Sequence, residues 1–154
     1  MEIRNKSGQV INTTADSHDF MDLDLREAVL ESMALQGAHF DDSNLEGANL
    51  RNADLYWASF FLANLTGADF ENAQLQGADL KKANLTNANL KRANLGRDNL
   101  SGSTQLQGAR LGGARLEGAI FEGAEYDADT VFPIGFDPHQ MKMVFKPSPL
   151  PDRA

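Results

Sequence analysis

The chain of 154 residues contains no cysteine, which excludes disulfides, thiol nucleophiles and zinc–thiolate sites. Its three histidines, His18, His39 and His139, lie in different regions and lack the spacing of metal ligands. No apolar run approaches the roughly 20 residues of a transmembrane helix, and residues 1–6 lack the apolar stretch of a signal peptide. We therefore expect a cytoplasmic protein with no cofactor, no metal site and no membrane partner.

Positive charge is also scarce, because 14 Lys and Arg residues against 22 Asp and Glu residues give a formal net charge of -8. Direct nucleic-acid binding is therefore not expected, since that affinity comes largely from basic side chains on phosphates. The charge suits a soluble protein, or one that presents an acidic surface to a basic partner.

What the sequence has instead is a five-residue period. From Phe40 onward, twelve consecutive units place a large apolar residue every fifth position and a small residue two positions before it, and none of these positions is charged. The large residues are Phe40, Leu45, Leu50, Leu55, Phe60, Leu65, Phe70, Leu75, Leu80, Leu85, Leu90 and Leu95. The period matches neither an α-helix nor a strand. The period fits a coil in which each five-residue unit forms one short side and points its large residue inward. Four sides would make a coil of 20 residues, and successive coils would stack about 4.8 Å apart.

Good copies of the unit are Ala48–Asn52, Ala53–Trp57, Ala78–Lys82 and Ala83–Asn87. They resemble the unit A-(D/N)-L-x-x of the pentapeptide repeat family, and the resemblance covers about residues 23–131. It implies an all-β fold, a right-handed quadrilateral parallel β-helix. The ending from Tyr126 to Pro138 is similar to the C-terminal ending of many cyanobacterial members.

The pattern weakens in two places. Leu25, Leu30 and Leu35 continue the register, although residues 25–36 also fit a short amphipathic helix. Near residue 100, Leu100 keeps the register but Asp98 falls on the inward small position, where a buried unpaired carboxylate would be costly. We expect the backbone to distort and turn Asp98 outward, and one extra residue within 101–105 to shift the register to Leu106, Leu111, Leu116, Phe121, Tyr126 and Val131.

Both ends of such a stack need a cap, since an open strand edge invites association. A Lys6–Gly8 turn between apolar segments predicts an N-terminal hairpin cap over residues 1–22. The repeats then span 23–131, and residues 132–145 form a C-terminal cap that includes a short helix from Met141 to Phe145. The Pro-rich residues 146–154 are predicted to be a mobile tail.

The repeat gives no indication of catalysis. Paired acids such as Asp41–Asp42 fall on adjacent outward positions and are typical of solvated surface, whereas catalytic carboxylates need a cleft that a filled coil lacks. The Gly-Ala dipeptides follow the period and serve the corners of the coil. We expect a protein that is not an enzyme and has no catalytic residues.

Two outward features are candidate sites. Tyr56–Trp57 and Phe61–Leu62 should flank one corner of the same coil and form an apolar patch, unless the N-terminal segment covers it, and such patches mark contact sites. A basic belt is predicted within a single coil, unless these residues are only part of a solvated mixed-charge surface. Its members are Lys81, Lys82, Lys91, Arg92 and Arg97.

These features favour a monomeric, non-catalytic scaffold that binds a protein partner. The alternative is an acidic mimic of duplex DNA that inhibits or protects DNA gyrase, a role that the resemblance implies for some members. A third interpretation is a structural module without a specific partner.

Overall fold

The computed structural model describes residues 1–13 and 18–149. Its organising feature is a series of parallel β-bridges between residues 20 positions apart, as in the ladder that joins Asp19, His39, Ser59 and Asp79. Each bridging residue directly precedes the large apolar residue of its unit, and four such ladders alternate along the chain. The chain is therefore a β-helix with coils of 20 residues, as the repeat predicts.

Among the described residues, four segments are long enough to count as strands: β1 (Glu2–Arg4), β2 (Val10–Thr13), β3 (Glu125–Tyr126) and β4 (Val144–Phe145). β1 and β2 pair as an antiparallel hairpin, and this hairpin lies on the first coil because the Val29 N–H donates to the Arg4 carbonyl at 2.8 Å. β3 and β4 pair in parallel and add a segment to the last coil. Strand pairing therefore covers part of each end of the stack.

The interior consists of ladders of large apolar side chains alternating with ladders of alanine. The large residue of every unit from Phe20 to Leu95 is at most 1% exposed. Phe20, Phe40 and Phe60 stack face to face with ring centroids 4.7 and 4.9 Å apart, which is close to the strand spacing. The period thus places like side chains in contact.

A two-residue turn joins consecutive sides, and its second residue has a left-handed backbone. Gly37 has a φ of 65°, and Trp57 and Leu62 both have a φ of 59°. This region favours glycine, and it costs roughly 1–2 kcal/mol for other residues. The stacked coils nevertheless hold the bulky Trp57 and Leu62 in it, with their side chains on the outside.

The coil begins earlier than predicted, inside the region assigned to the N-terminal cap. Asp19 bridges to His39, and Phe20 is fully buried against Phe40. Phe20 keeps the register, although its unit has His18 in place of the small residue. The alternative of a helix over 25–36 is wrong, because Val29 and Ala34 bridge to the next coil.

The predicted one-residue shift at 101–105 is physically a longer excursion. Asp79 bridges to Gln105, 26 positions further along and six more than a regular coil. Leu106 is therefore the buried residue that stacks on Leu80, whereas Leu100 is 77% exposed. Of the six extra residues, five amount to one whole repeat unit that leaves the coil, and the sixth shifts the phase of the later units by one residue. The prediction that Leu100 stays in register is therefore wrong.

The last side of the coil also differs from the prediction. Arg110 bridges to Val131, 21 positions away, so Phe132 takes the inward position and Val131 is 50% exposed. Phe132 packs against Tyr126 and Phe136, with ring centroids 5.6 and 4.7 Å away. The predicted boundary at 131 is therefore one residue early.

The segment after this side is a strand where a short helix was predicted, since Val144–Phe145 forms β4. The first residues of the predicted mobile tail are hydrogen-bonded to the last coil. The Lys146 N–H donates to the Tyr126 carbonyl at 2.8 Å, and the Ser148 hydroxyl donates to Asp127 at 2.5 Å. The rest of the tail, 150–154, and residues 14–17 of the predicted N-terminal cap lie outside the described residues.

We expect Phe40→Ala to lower the free energy of unfolding by about 3–5 kcal/mol, because it opens a cavity between two stacked rings. Phe40→Leu should cost less than about 1.5 kcal/mol, since leucine is the usual residue of the unit. Leu100→Ala, in the exposed loop, should stay within about 0.5 kcal/mol of wild type. Denaturant titration followed by circular dichroism measures all three, and a loss under about 1 kcal/mol for Phe40→Ala would contradict the stacked core.

Candidate protein-binding surface

Stacking aligns the turns of successive coils into columns, and two of these columns carry the predicted apolar patch. We call one the Trp57 column, composed of the turns Gln36–Gly37, Tyr56–Trp57 and Gln76–Gly77. The other is the Leu62 column, composed of Asp41–Asp42, Phe61–Leu62 and Lys81–Lys82. The two columns border the side of the coil that carries Ser59 in its bridge ladder.

The four predicted patch residues do not flank a single corner: they occupy two neighbouring turns of one coil, at the two ends of the side that carries Ser59. Trp57 is 52% exposed and Leu62 is 46% exposed, whereas Tyr56 and Phe61 are half-buried. The N-terminal hairpin bonds to the coil at residues 27–29. Within the described residues it leaves Trp57 and Leu62 accessible, so the patch is a surface feature.

In the Leu62 column, the apolar turn lies between an acidic and a basic turn. Asp41 accepts hydrogen bonds from the Phe61 N–H at 3.0 Å and from the Ser59 hydroxyl. The Lys82 ammonium lies 5.9 Å from the centroid of the Phe61 ring, which is cation–π range. Phe61 is thus held between the two charged turns, and Leu62 is the residue left for contact.

In the Trp57 column, the Cδ1–Nε1 edge of the indole lies against the turn of the next coil. A Cβ atom on Gly77 would come within 2.2 Å of Trp57 Cδ1 and 2.5 Å of Nε1. Only a glycine leaves this space. The Trp57 ring is therefore tilted toward Gly77 and away from the preceding turn at Gly37.

The loop that leaves the coil near residue 100 emerges in this same column and folds back onto Trp57. The indole N–H of Trp57 donates to Asp98 Oδ2, and Asp98 Oδ1 accepts from the backbone N–H groups of Leu100 at 2.8 Å and Gly102 at 2.5 Å. Asp98 is only 7% exposed. As predicted, the carboxylate lies outside the coil interior, beside the exposed indole of Trp57, but the loop and the indole cover it and three donors satisfy it there.

These contacts set the protonation of Asp98. Burial acts to raise the pKa of Asp98, but the hydrogen bonds from Gly102, Trp57 and Leu100 outweigh it and hold the pKa below its usual value. The carboxylate is consequently charged at neutral pH and anchors both the loop and the indole.

The opposite side of the Trp57 ring borders an open cleft of about 460 Å³. Its walls are Gln36, Gly37, Asp54, Tyr56 and Trp57, and among the described residues a Cβ on Gly37 would meet no atom within 4 Å. Asp54 accepts hydrogen bonds from the Gln36 side-chain amide at 2.5 Å and from the Tyr56 N–H at 3.3 Å. Two aromatic side chains and one carboxylate thus surround an empty space.

A family model for pentapeptide repeats matches residues 24–60, 63–102 and 99–125, with eight copies. The chain belongs to the pentapeptide repeat family. Pentapeptide repeat proteins form β-helices and are typically non-catalytic structural scaffolds.

Solved pentapeptide repeat proteins are similar to this one. HetL, from the cyanobacterium Nostoc sp. strain PCC 7120, is 34% identical with a TM-score of 0.69, and the match covers 71% of this chain but 46% of HetL. A second protein from Nostoc PCC 7120 is 29% identical with a TM-score of 0.51, covering 84% of this chain and 85% of that one. A protein of the Arabidopsis thaliana thylakoid lumen is 34% identical with a TM-score of 0.48, covering 76% and 70%. No curated protein matches the chain.

The basic residues of this pentapeptide repeat protein do not form one continuous patch. Lys81 and Lys82 lie in the Leu62 column, where Lys81 pairs with Asp79 at 3.2 Å. Lys91 and Arg92 lie in a third column, where Arg92 pairs with Glu71. Arg97 follows Leu95 into the Trp57 column and lies against Gly123. The predicted belt occupies one coil, but it is spread over three columns and partly neutralised.

A larger cleft of about 750 Å³ lies between the N-terminal hairpin and another column of turns. Its charged lining includes Arg26, which pairs with Asp24 at 2.6 Å, so its charges are partly neutralised. In the part of the chain that the structure describes, no group of three or more His, Cys, Asp or Glu residues is placed to hold a metal ion. Among the same residues, no helix is long and apolar enough to cross a membrane.

We expect Asp98→Asn to loosen the loop at neutral pH, because a single amide oxygen cannot accept from the three donors that Asp98 serves. Fluorescence of Trp57, the one tryptophan of the chain, should shift relative to wild type. The pKa of Asp98 is lowered in the folded state, so its stabilising contribution is fully present above the unfolded pKa of about 3.9. It is lost as the pH falls through the lower folded pKa.

The stability difference between wild type and Asp98→Asn should therefore be constant from pH 7 to about pH 5 and shrink below about pH 4. Urea denaturation at each pH measures it. A difference that grows as the pH falls would contradict the assigned hydrogen bonds.

We expect Gly77→Ala to destabilise the protein by about 1–3 kcal/mol more than Gly67→Ala. Both glycines have a left-handed backbone, with φ of 73° and 65°, but only at Gly77 does the added methyl group meet the Trp57 ring. The matched pair cancels the backbone cost and isolates the clash. Unfolding midpoints and Trp57 emission should both separate the two variants, and equal behaviour would show that the indole does not rest on Gly77.

Proposed function

We propose that this pentapeptide repeat protein is a cytoplasmic, monomeric, non-catalytic scaffold that binds a protein partner through Tyr56, Trp57, Phe61 and Leu62. The observation that carries the proposal is the exposure of Trp57 and Leu62 on adjacent turns of one coil, 52% and 46% respectively. Tryptophan and tyrosine are enriched among residues that dominate binding energy, and contiguous exposed apolar side chains commonly mark contact sites.

The patch is also preorganised. The Asp98 hydrogen bond and the Gly77 backbone fix the Trp57 ring, and Lys82 lies against Phe61. Side chains that are already ordered lose less entropy when a partner binds, which leaves more of the contact energy for affinity. We also propose that the β-helix is right-handed and quadrilateral, as the family resemblance implies. A quadrilateral coil would make the side between the two columns a flat face.

The likeness to HetL supports a regulatory role. HetL is a pentapeptide repeat protein involved in the regulation of heterocyst differentiation. It is 34% identical to this chain, and the match covers 71% of the residues of this chain. We extend to this chain only the general character of a regulatory or scaffolding protein.

The alternative of a gyrase-directed DNA mimic has less support. Its motivation is the net charge of -8, but a mimic of duplex DNA needs a continuous negative surface. One column here interleaves Arg51 and Arg92 with Glu71, and Arg51 also pairs with Asp69 at 3.2 Å. The Leu62 column likewise passes from acidic to apolar to basic turns.

The test is affinity capture from a lysate of the source organism, with quantitative mass spectrometry. The wild type is compared with the double variant Trp57→Asn/Leu62→Asn, because asparagine tolerates the left-handed turn. The expected result is one or more specific partners whose recovery falls at least about tenfold with this double variant, as expected when hot-spot residues are lost.

The matched control is Ile120→Asn/Val131→Asn, which removes two apolar side chains of similar exposure, 50% each, outside the two columns. It should retain the partner. Unfolding midpoints must first show that both variants are folded. Equal recovery with all three proteins would overturn the proposal, and equal recovery of gyrase with all three would favour the alternative.

A further inference from the structure

We propose that the cleft beside Trp57 binds an arginine side chain of the protein partner. This inference rests on the proposed function and deepens it, since it names the chemistry that the partner presents. The cleft is lined by Gln36, Gly37, Asp54, Tyr56 and Trp57 and has a volume of about 460 Å³.

The shape of the cleft follows from the tilt of the indole. Trp57 lies on Gly77 and bonds to Asp98 on its C-terminal side, so the space above the preceding turn stays open. At Gly37 a Cβ would meet no atom of residues 1–13 or 18–149 within 4 Å. The cleft is thus bounded by aromatic side chains and floored by glycine backbone, which is a suitable shape for a flat group.

The charge of the cleft selects a cation. Asp54 accepts two hydrogen bonds, from the Gln36 amide and the Tyr56 N–H, but both donors are neutral. Among the described residues, no Lys, Arg or His forms an ion pair with Asp54, whereas Asp69, Glu71 and Asp79 all have basic partners. Within residues 1–13 and 18–149, Asp54 is therefore a half-buried carboxylate beside two aromatic rings that has no ion-pair partner, on a protein of net charge -8.

Arginine fits this combination better than lysine. Its guanidinium is planar, so it can lie against an aromatic ring while its N–H groups bond to a carboxylate. Lysine offers a compact, strongly hydrated charge that gains less from a flat aromatic wall. The chain uses related contacts within its own surface, where Arg51 bonds to Asp69 and Glu71, and Lys82 lies over Phe61.

The probe is the capped tripeptide acetyl-Gly-Arg-Gly-amide, titrated into the full-length protein. The readouts are Trp57 fluorescence and the NMR signal of its indole N–H, which is a single resonance because the chain has one tryptophan. We expect saturable binding, with affinity at least about fivefold weaker for the citrulline peptide, which keeps the shape and loses the charge. The lysine peptide should bind more weakly than the arginine peptide.

Two variants localise the binding. Asp54→Asn should weaken the arginine peptide by at least about fivefold, because it removes the carboxylate charge. Gly37→Lys should abolish binding, since it fills the cleft with a tethered cation, and lysine already adopts this left-handed turn at Lys82. Gly67→Lys is the matched control, because Gly67 has the same φ of 65° and the same open surroundings in another column, and it should bind like wild type.

The inference is supported if binding is saturable, if Asp54→Asn and Gly37→Lys weaken it, and if Gly67→Lys leaves it unchanged. Equal binding of the arginine and citrulline peptides, or equal effects of the two glycine variants, would overturn it. The outcomes also separate the two proposals. A captured partner that depends on Trp57 and Leu62, together with no arginine binding, refutes the cleft alone. Arginine binding without any captured partner refutes the scaffold function and leaves the cleft as a cation site.

Discussion

The whole molecule depends on the contact between like side chains one coil apart. Phe20, Phe40 and Phe60 stack at the coil spacing, and the leucine and alanine ladders do the same on the other sides. Backbone hydrogen bonds between coils have this spacing too, so side-chain packing and main-chain pairing impose the same distance. Because both requirements are met only when each unit keeps its length, the period of the sequence fixes the position of every side chain on the surface.

That constraint explains why the surface consists of columns. The turn residues cannot point inward, so they stack on the turns of neighbouring coils, and their chemistry is decided by residues 20 positions away. The Trp57 ring can lie against the next turn because Gly77 has no side chain, and Phe61 is flanked by Asp41 and Lys82 because their turns stack on its own. The candidate patch and the cleft beside it are thus products of the stacking rather than separate additions to it.

The regular part of the fold and the position of the patch could be predicted from the sequence, because both follow from counting in fives. The interruptions could not. Leu100 has the residue type and the phase of a core position, yet it lies in solvent, since Leu106 fills its place on Leu80. The carboxylate of Asp98 was expected to avoid burial, but the donors that satisfy it come from a turn two coils earlier and from its own loop. The one available signal was the pair of Trp57 and Gly77, 20 residues apart, which marks a ring lying on a glycine.

The bridge spacing also determines how a protein of this kind can change its length during evolution. A duplication of 20 residues would add one coil, about 4.8 Å of height, and leave every column aligned. Any other insertion must either leave the coil or rotate everything after it onto a different side. In this chain the extra residues leave the coil at two places, where six extra residues precede Gln105 and one extra residue precedes Val131. Length in this architecture therefore changes in discrete steps, and departures from those steps become the loops on which individual members differ.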